Sequence, residues 1–294
     1  MSSSNGVPPS SQTDQGKSIT QSGFKITTRK LPILKAGPIE EMTENLGIAP
    51  PEMIFGDNCV CIEHVSSGWK IEFNAFDALD RVDKTGEAML KVAYSREWQQ
   101  SRYKTSIPDL NYTLCLDMSD LTKMETECRS KTTEDIKEVI KPFDWSYSTD
   151  YKGTVSSHPS FTEASTPIPL HLLTRPDPIL FFDEVVLYED ELADNGIAML
   201  SIKIRVMPER LLLLSRFFLR LDGVLFRIRD TRVFVEFGSG EVIREFVARE
   251  EGYESVRGKL AGGREEATTV MREPQRLCEL MGVVEKKLEG LRLS

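Results

Sequence analysis

The sequence has few of the residues that carry most enzymatic and metal chemistry. Its 294 residues include 3 histidines and 5 cysteines, and no Ser, Cys or Asp lies in a recognisable nucleophile motif. Because the cysteines are odd in number and irregularly spaced, a secreted disulfide framework is not expected and a reducing compartment is favoured. We therefore predict a protein without a cofactor, located in the cytoplasm, with the nucleus as a second location.

Positive charge and long apolar runs are also scarce. The chain has 37 Lys and Arg against 46 Asp and Glu, a net charge of −9, which argues against a broad nucleic-acid footprint. No apolar run reaches the roughly 18 residues of a membrane span, and the Ser-rich start lacks the apolar centre of a signal peptide. We expect a soluble protein that binds neither nucleic acid nor membrane.

Two groups of residues resemble metal sites without completing one. Cys59, Cys61 and His64 lie close in sequence, but on a strand His64 points away from the face that the cysteines share. The acidic segment EDELADNG, 189–196, lacks the alternating ligands and the distal Glu of a calcium loop. No metal site is predicted, and these groups support only the alternative of a hydrolase or metal-binding enzyme.

The first third of the chain predicts a hairpin between two helices. CVCIEHV and GWKIEFNA are strand-like and are separated by a short Ser- and Gly-containing turn. The segment from Pro38 to Gly47 has Pro in its first turn and Gly at its end, which is typical of a short helix. Asn74 is a good N-cap for a second helix, and Asp77 follows three residues later, near the free backbone N–H groups.

The segment 181–248 predicts most of the remaining strands. Residues 181–206 form a strand, a turn at Asn195-Gly196 and a second strand. The solid apolar run ERLLLLSRFFLRL fits a buried helix or a buried strand, and its length favours the helix. Alternation resumes after Gly223, with a turn expected near Asp230, and EVIREFVA adds a strand.

These elements predict one domain, rich in antiparallel strands, that carries tails. Residues 1–23 have seven Ser and no aromatic residue, so they predict a disordered tail. The Pro-rich segment 155–178 is expected to form an extended surface loop. Residues 103–135 are polar and show no sustained periodicity. Residues 250–294 predict a partly helical extension, whose final apolar stripe either docks on the domain or binds a partner.

Arginines alternate with apolar residues in the segment 217–237. Alternation places Arg227 and Arg229 on the strand face opposite Phe226 and Ile228. The arginines could point to the solvated face of an antiparallel sheet. They could also form a receiving surface for an acidic or carboxylate-bearing peptide.

Several segments resemble, in the right order, the TIPRL family of TOR-signalling-pathway regulator-like proteins. They are PEMIFGDN, WKIEFNAFDAL, VAYSREWQ, EVIKPFDWSYSTDYKGT, FFDEVVLYEDELADNG, SIKIRVMPERLLLLSRFFLRLDGVLFRIRDTR and REF. The resemblance implies an α+β fold in which antiparallel sheets with flanking helices form a single cradle-shaped domain over residues 24–249, with residues 103–135 as an insert. It implies a non-enzymatic regulator that binds the catalytic subunits of type 2A, type 4 and type 6 phosphatases in TOR signalling. It also implies contact with their alpha-four-type regulatory partner, and a cleft for the phosphatase's C-terminal tail, which carries an aromatic residue, a leucine and a terminal carboxylate.

The resemblance implies that residues at three positions of this sequence bind the partner. They are Asp77 within FNAFDAL, and Ile228 and Asp230 within RIRDTR. Structural roles are open for each: a capping carboxylate, a core residue and a turn residue. Replacing Asp77 or Asp230 is expected to weaken capture of the phosphatase without unfolding the domain. The insert 103–135 and the chain after Arg249 have no counterpart in the resemblance.

Overall fold

The computed structural model describes residues 16–84, 143–174, 176–261 and 267–294. The described residues before Lys84 and after Asp144 belong to one compact unit, built from two open antiparallel sheets and short helices. This confirms the predicted α+β class. The predicted insert 103–135 lies outside the described residues.

The smaller sheet has five strands in the order β1-β2-β4-β5-β6. Their bounds are β1 Lys17–Gln21, β2 Phe24–Arg29, β4 Cys59–His64, β5 Trp69–Asn74 and β6 Thr154–Val155. The hairpin β4–β5 confirms the prediction. The prediction of a disordered tail over residues 1–23 is wrong for its last residues, because β1 pairs along its whole length with β2. A turn at Ser22 and Gly23 joins the two strands.

The larger sheet has eight strands in the order β3-β8-β9-β10-β11-β12-β13-β7. Their bounds are β3 Met53–Ile54, β7 Thr162–Glu163, β8 Phe181–Asp190, β9 Gly196–Val206, β10 Arg210–Leu221, β11 Leu225–Glu236, β12 Glu241–Gly252 and β13 Val283–Arg292. Long hairpins connect β8 to β12 in sequence order, so each of these strands pairs with its chain neighbour.

Six helices are described, and most are short. They are α1 Ala36–Leu46, α2 Ala75–Asp80, α3 Leu170–Leu173, α4 Tyr253–Leu260, α5 Ala267–Val270 and α6 Pro274–Leu280. Helix α1 ends as predicted, with Gly47 in the left-handed conformation at φ 69°. Helix α2 begins as predicted, since the Asn74 side chain accepts a 2.8 Å hydrogen bond from the Asp77 backbone N–H.

The run ERLLLLSRFFLRL forms strand β10, so the prediction of a helix is wrong. The strand lies between β9 and β11, and segments packed on both faces leave Leu212 and Leu214 partly buried while Leu211 and Leu213 are fully buried. A strand buried on both sides needs no polar alternation, so the pattern could not distinguish it from a helix. The turn expected near Asp230 is also absent, because β11 is continuous from Leu225 to Glu236.

Two further predictions about segments need correction. Residues 250–294 are no appended extension: the predicted helix ends at Leu280, and the residues after it form β13, which pairs with β12 inside the large sheet. The Pro-rich segment 155–178 is not simply a loop. It ends β6, contributes β7 to the large sheet and contains helix α3, so it is attached to both sheets.

The small sheet packs on one face of the large sheet, and we call this the inner face. Phe24 of β2 lies 5.2 Å from the Phe237 ring, centroid to centroid. Asp183 of β8 accepts hydrogen bonds from the Thr28 hydroxyl at 2.6 Å and the Lys30 ammonium at 2.5 Å. Burial raises the pKa of the Asp183 carboxyl, but these hydrogen bonds outweigh burial, and the pKa lies below its usual value. The opposite side is the outer face.

Candidate partner-binding site

The structure places four of the five predicted site residues on the two faces of the large sheet and the fifth on a helix. Side chains alternate along β11, so Arg227 and Arg229 lie on the inner face while Ile228 and Asp230 lie on the outer face. Asp77 belongs to helix α2, which follows the small sheet. The five residues therefore do not form a single site.

Asp77 lines a cleft of about 580 Å³. Its carboxylate accepts hydrogen bonds from the Asn74 amide at 3.0 Å and from the Thr154 hydroxyl at 2.5 Å. Capping of the helix is carried by Asn74, whereas the Asp77 carboxylate closes a contact between α2 and β6 and borders the cleft. The position is thus suited to both holding local structure and meeting a partner.

The same cleft is lined by Phe161 and Arg244, which the sequence analysis did not single out. The Arg244 guanidinium stacks 3.9 Å from the centroid of the Phe161 ring, and its Nε and Nη2 donate to Glu289 at 2.9 and 2.8 Å. Burial lowers the pKa of Arg244, and Glu289 acts in the opposite direction. No sequence motif could reveal this group, because Phe161, Arg244 and Glu289 come from three segments that are distant in sequence.

Arg227 does not lie on a solvated face, so that prediction is wrong. It is 7% exposed, and it donates from Nε to Glu250 and from Nη1 to the Ser148 hydroxyl, each at 2.7 Å. The segment containing Ser148 covers this part of the inner face. Arg229 is partly buried, and burial followed by repulsion from Arg227 lowers its pKa. Arg227 already donates to Glu250 and Ser148 of the chain itself. Its Nε and Nη1 are therefore not available to a peptide on the predicted receiving surface.

Ile228 is a core residue. It is 0% exposed, and it packs in an outer-face cluster with residues of the C-terminal helices. The buried members of this C-terminal cluster are Phe218, Phe226, Ile228, Val256, Met271, Leu277 and Met281. Helices α4 to α6 therefore cover the outer face at this end, and the core interpretation of Ile228 is confirmed.

Asp230 lies within the strand, and its carboxylate holds an arginine. Arg216 of β10 donates from Nε to Oδ1 at 2.7 Å and from Nη2 to Oδ2 at 2.6 Å. Asp230 is 2% exposed, so the turn interpretation is wrong. Burial lowers the pKa of Arg216, but the bonds to Asp230 outweigh burial and raise it. Asp230 thus fixes the orientation of the Arg216 guanidinium. A guanidinium presents parallel N–H donors that match the two oxygens of a carboxylate.

A charged strip crosses the outer face between the C-terminal cluster and a second apolar cluster formed by Ile168, Phe234 and Ile243. Strand register places the members of this outer strip on one face, and they are Lys203, Leu214, Arg216, Asp230, Arg232, Glu245 and Lys286. Glu245 pairs with Arg232 at 3.6 Å and with Lys286 at 2.9 Å. Although the whole chain is acidic, basic groups outnumber acidic ones on this strip.

The cysteine and histidine group does not converge on one point. Cys59 and Cys61 lie on β4, where burial raises the pKa of Cys61 to about 12. The His64 ring is instead hydrogen bonded to Ser67 and Ser66, at 2.8 and 3.1 Å. Within the part of the chain that the structure describes, no three His, Cys, Asp or Glu side chains come together as metal ligands. No described helix is both long and apolar enough to cross a membrane.

The architecture defines an α+β domain with a polar cleft beside the inner face of its large sheet and a charged strip on the outer face. The chain belongs to the TIP41-like family, whose model matches residues 53–257, and this confirms the resemblance found in the sequence. The human TIP41-like protein is 38% identical over 273 aligned residues, covering 91% of this chain and 86% of the relative.

Two yeast relatives extend the comparison. The type 2A phosphatase activator TIP41 of Saccharomyces cerevisiae is 42% identical over 250 residues, covering 84% of this chain and 66% of the relative. The type 2A phosphatase activator tip41 of Schizosaccharomyces pombe is 30% identical over 272 residues, covering 91% of this chain and 96% of the relative.

Proposed function

We propose that this protein is a non-enzymatic regulator of type 2A-family protein phosphatases that binds their catalytic subunit and controls its assembly in TOR signalling. The observation that carries the proposal is the similarity, over most of the chain, to two yeast proteins named as type 2A phosphatase activators. Type 4 and type 6 catalytic subunits and the alpha-four-type partner belong to the same proposal, as does a location in the cytoplasm and nucleus.

The outer strip supports the proposal because it matches the chemistry of the expected ligand. A tail with an aromatic residue, a leucine and a terminal carboxylate needs apolar anchor sites next to cations. The strip has the partly buried Leu214 beside Arg216 and Arg232, with apolar clusters on both sides. An extended peptide bound there would bury its side chains against the clusters and place its carboxylate among guanidinium groups.

Under this proposal the predicted residues act in different ways. Asp230 acts indirectly, because it orients the Arg216 side chain. Ile228 also acts indirectly, because it packs against the C-terminal helices and holds them on the sheet. Asp77 lies at the inner-face cleft, so it would contact the body of the catalytic subunit and not the tail. Two separate contacts with one partner also explain why the residues need not lie together.

The proposal is tested by calorimetric titration of the full chain with a phosphatase catalytic subunit, intact and lacking its last few residues. Removing the tail should weaken binding at least about tenfold, since losing a buried anchor costs about 2 kcal/mol. Equal affinity for the two forms would contradict a site for the tail. No binding to either form would contradict the proposed function itself.

Asp77→Ala is expected to weaken capture of the intact catalytic subunit by a factor of about five, because it removes a carboxylate from the cleft at a cost of about 1 kcal/mol. Thermal melting should fall only slightly, since the Asn74 cap is retained and only the hydrogen bonds of the carboxylate to Asn74 and Thr154 are lost. The matched control is Glu44→Ala, which removes an exposed carboxylate from helix α1. If both variants capture the subunit like wild type, Asp77 makes no contact with it.

A further inference from the structure

Strand β1 is an open edge of the small sheet. It pairs with β2 along its whole length, and no residue that the structure describes pairs with its other edge. Proteins usually block such an edge with a proline, a bulge or a charge within the strand. The sequence KSITQ has only Lys17, at its first position, and the pairing with β2 shows no register shift. Strand β1 is therefore able to accept a further strand.

The turn between β1 and β2 fixes which backbone groups of β1 face the open edge. Ser22 and Gly23 both have positive φ, at 48° and 83°, which is typical of a two-residue type I′ hairpin. In such a hairpin Gln21, which precedes the turn, exchanges backbone hydrogen bonds with β2, and this exchange recurs at every second residue. The N–H and C=O groups of Ser18 and Thr20 therefore point away from β2, toward the open edge.

An apolar row on the core side of the small sheet reaches the open edge at Ile19. The row takes one residue from each strand, and its members in strand order are Ile19, Ile26, Ile62, Ile71 and Val155. Ile26, Ile62 and Ile71 are 0% exposed, whereas Ile19 is only partly buried. A further strand with an apolar side chain beside Ile19 would complete its burial, which is favourable because it removes apolar area from water.

A second copy of β1 meets these requirements. When two copies pair antiparallel about a two-fold axis at Ile19, Ser18 of each copy lies opposite Thr20 of the other, so the outward backbone groups match. The two Ile19 side chains then meet at the axis as a pair without backbone hydrogen bonds, with their Cα atoms about 4.5 Å apart. Lys17 lies opposite Gln21, so like charges do not face each other across the paired strands.

We propose that two copies of this protein pair through β1, so that their small sheets join into one continuous antiparallel sheet. The contact consists of the backbone hydrogen bonds of Ser18 and Thr20, the pairing of their hydroxyl side chains on one face and the Ile19 contact on the other. Because the interface is small, the dimer is weak and forms in proportion to concentration. This inference does not rest on the proposed function.

Sedimentation velocity of the full chain, from low micromolar to submillimolar concentration, tests the pairing. Ser18→Lys combined with Thr20→Glu places opposite charges across the two-fold axis and should tighten the dimer by about fivefold. Ser18→Glu combined with Thr20→Glu places like charges there and should weaken it by at least about fivefold. The two variants differ only in the charge at residue 18. A wild type that stays monomeric at every concentration overturns the proposal, and so do variants that dimerise equally.

Cross-linking at the two-fold axis tests the register. Ile19→Cys brings two thiols together at a Cα separation that suits a disulfide, so oxidised glutathione should give a covalent dimer on a non-reducing gel. The matched control is Gln21→Cys, on the same face of β1, which lies opposite Lys17 and should not exceed the background of the 5 native cysteines. Equal cross-linking of both variants overturns this register. If Ile19→Cys does not fold in thermal melts, the charge variants at the exposed Ser18 and Thr20 decide the proposal.

Discussion

Asp230→Ala is expected to lower the free energy of unfolding by about 3 to 5 kcal/mol. The carboxylate is 2% exposed and binds two nitrogens of Arg216, whose side chain is 13% exposed. Removing it leaves the guanidinium largely buried and without its carboxylate. Urea unfolding followed by circular dichroism gives the stability change. The structure thus replaces the expectation that Asp230 can be changed without affecting stability.

The matched variant replaces both partners with apolar residues of similar size. Arg216→Met combined with Asp230→Leu should recover most of the stability, because no buried charge is left unpaired. It should still bind the phosphatase tail poorly, because the fork that receives a carboxylate is gone. This pair of variants separates stability from binding. If Asp230→Ala unfolds at the same urea concentration as wild type, the ion pair contributes nothing to the fold.

Leu277→Ala is expected to cost about 2 to 5 kcal/mol of stability. Leu277 is 0% exposed in helix α6 and packs in the C-terminal cluster with Ile228 and Phe218. Shortening it leaves a cavity between the helix and the outer face of the sheet. The effect should appear as one cooperative transition in urea, since β13, which follows the helix, is hydrogen bonded within the large sheet.

The control for Leu277→Ala is Val284→Ala, a large-to-small change close by in the chain. Val284 is 65% exposed in β13, so its truncation should change stability by no more than about 0.5 kcal/mol. A separate early transition for Leu277→Ala would contradict the expectation. It would mean that residues 250–294 unfold independently, as an extension would, and that the domain ends near Arg249.

Local features of the fold were predictable because a few neighbouring residues determine them. The Asn74 cap, the left-handed Gly47 and the hairpin β4–β5 each depend on interactions within a few residues. Strand β10 was not predictable, since its leucines are uniformly apolar and its conformation depends on pairing with β9 and β11. The same holds for β13, whose apolar spacing also fits a helix.

The candidate site shows the same division between local and tertiary information. The sequence by itself determined that Arg227 and Arg229 lie opposite Phe226 and Ile228, because side chains alternate along any strand. It also carried the segments that identify the family. Only the tertiary structure decided which segments of the chain cover each face of the sheet. The segment with Ser148 covers Arg227, and helix α6 covers Ile228. Burial depends on segments distant in the chain, and no local period encodes their docking.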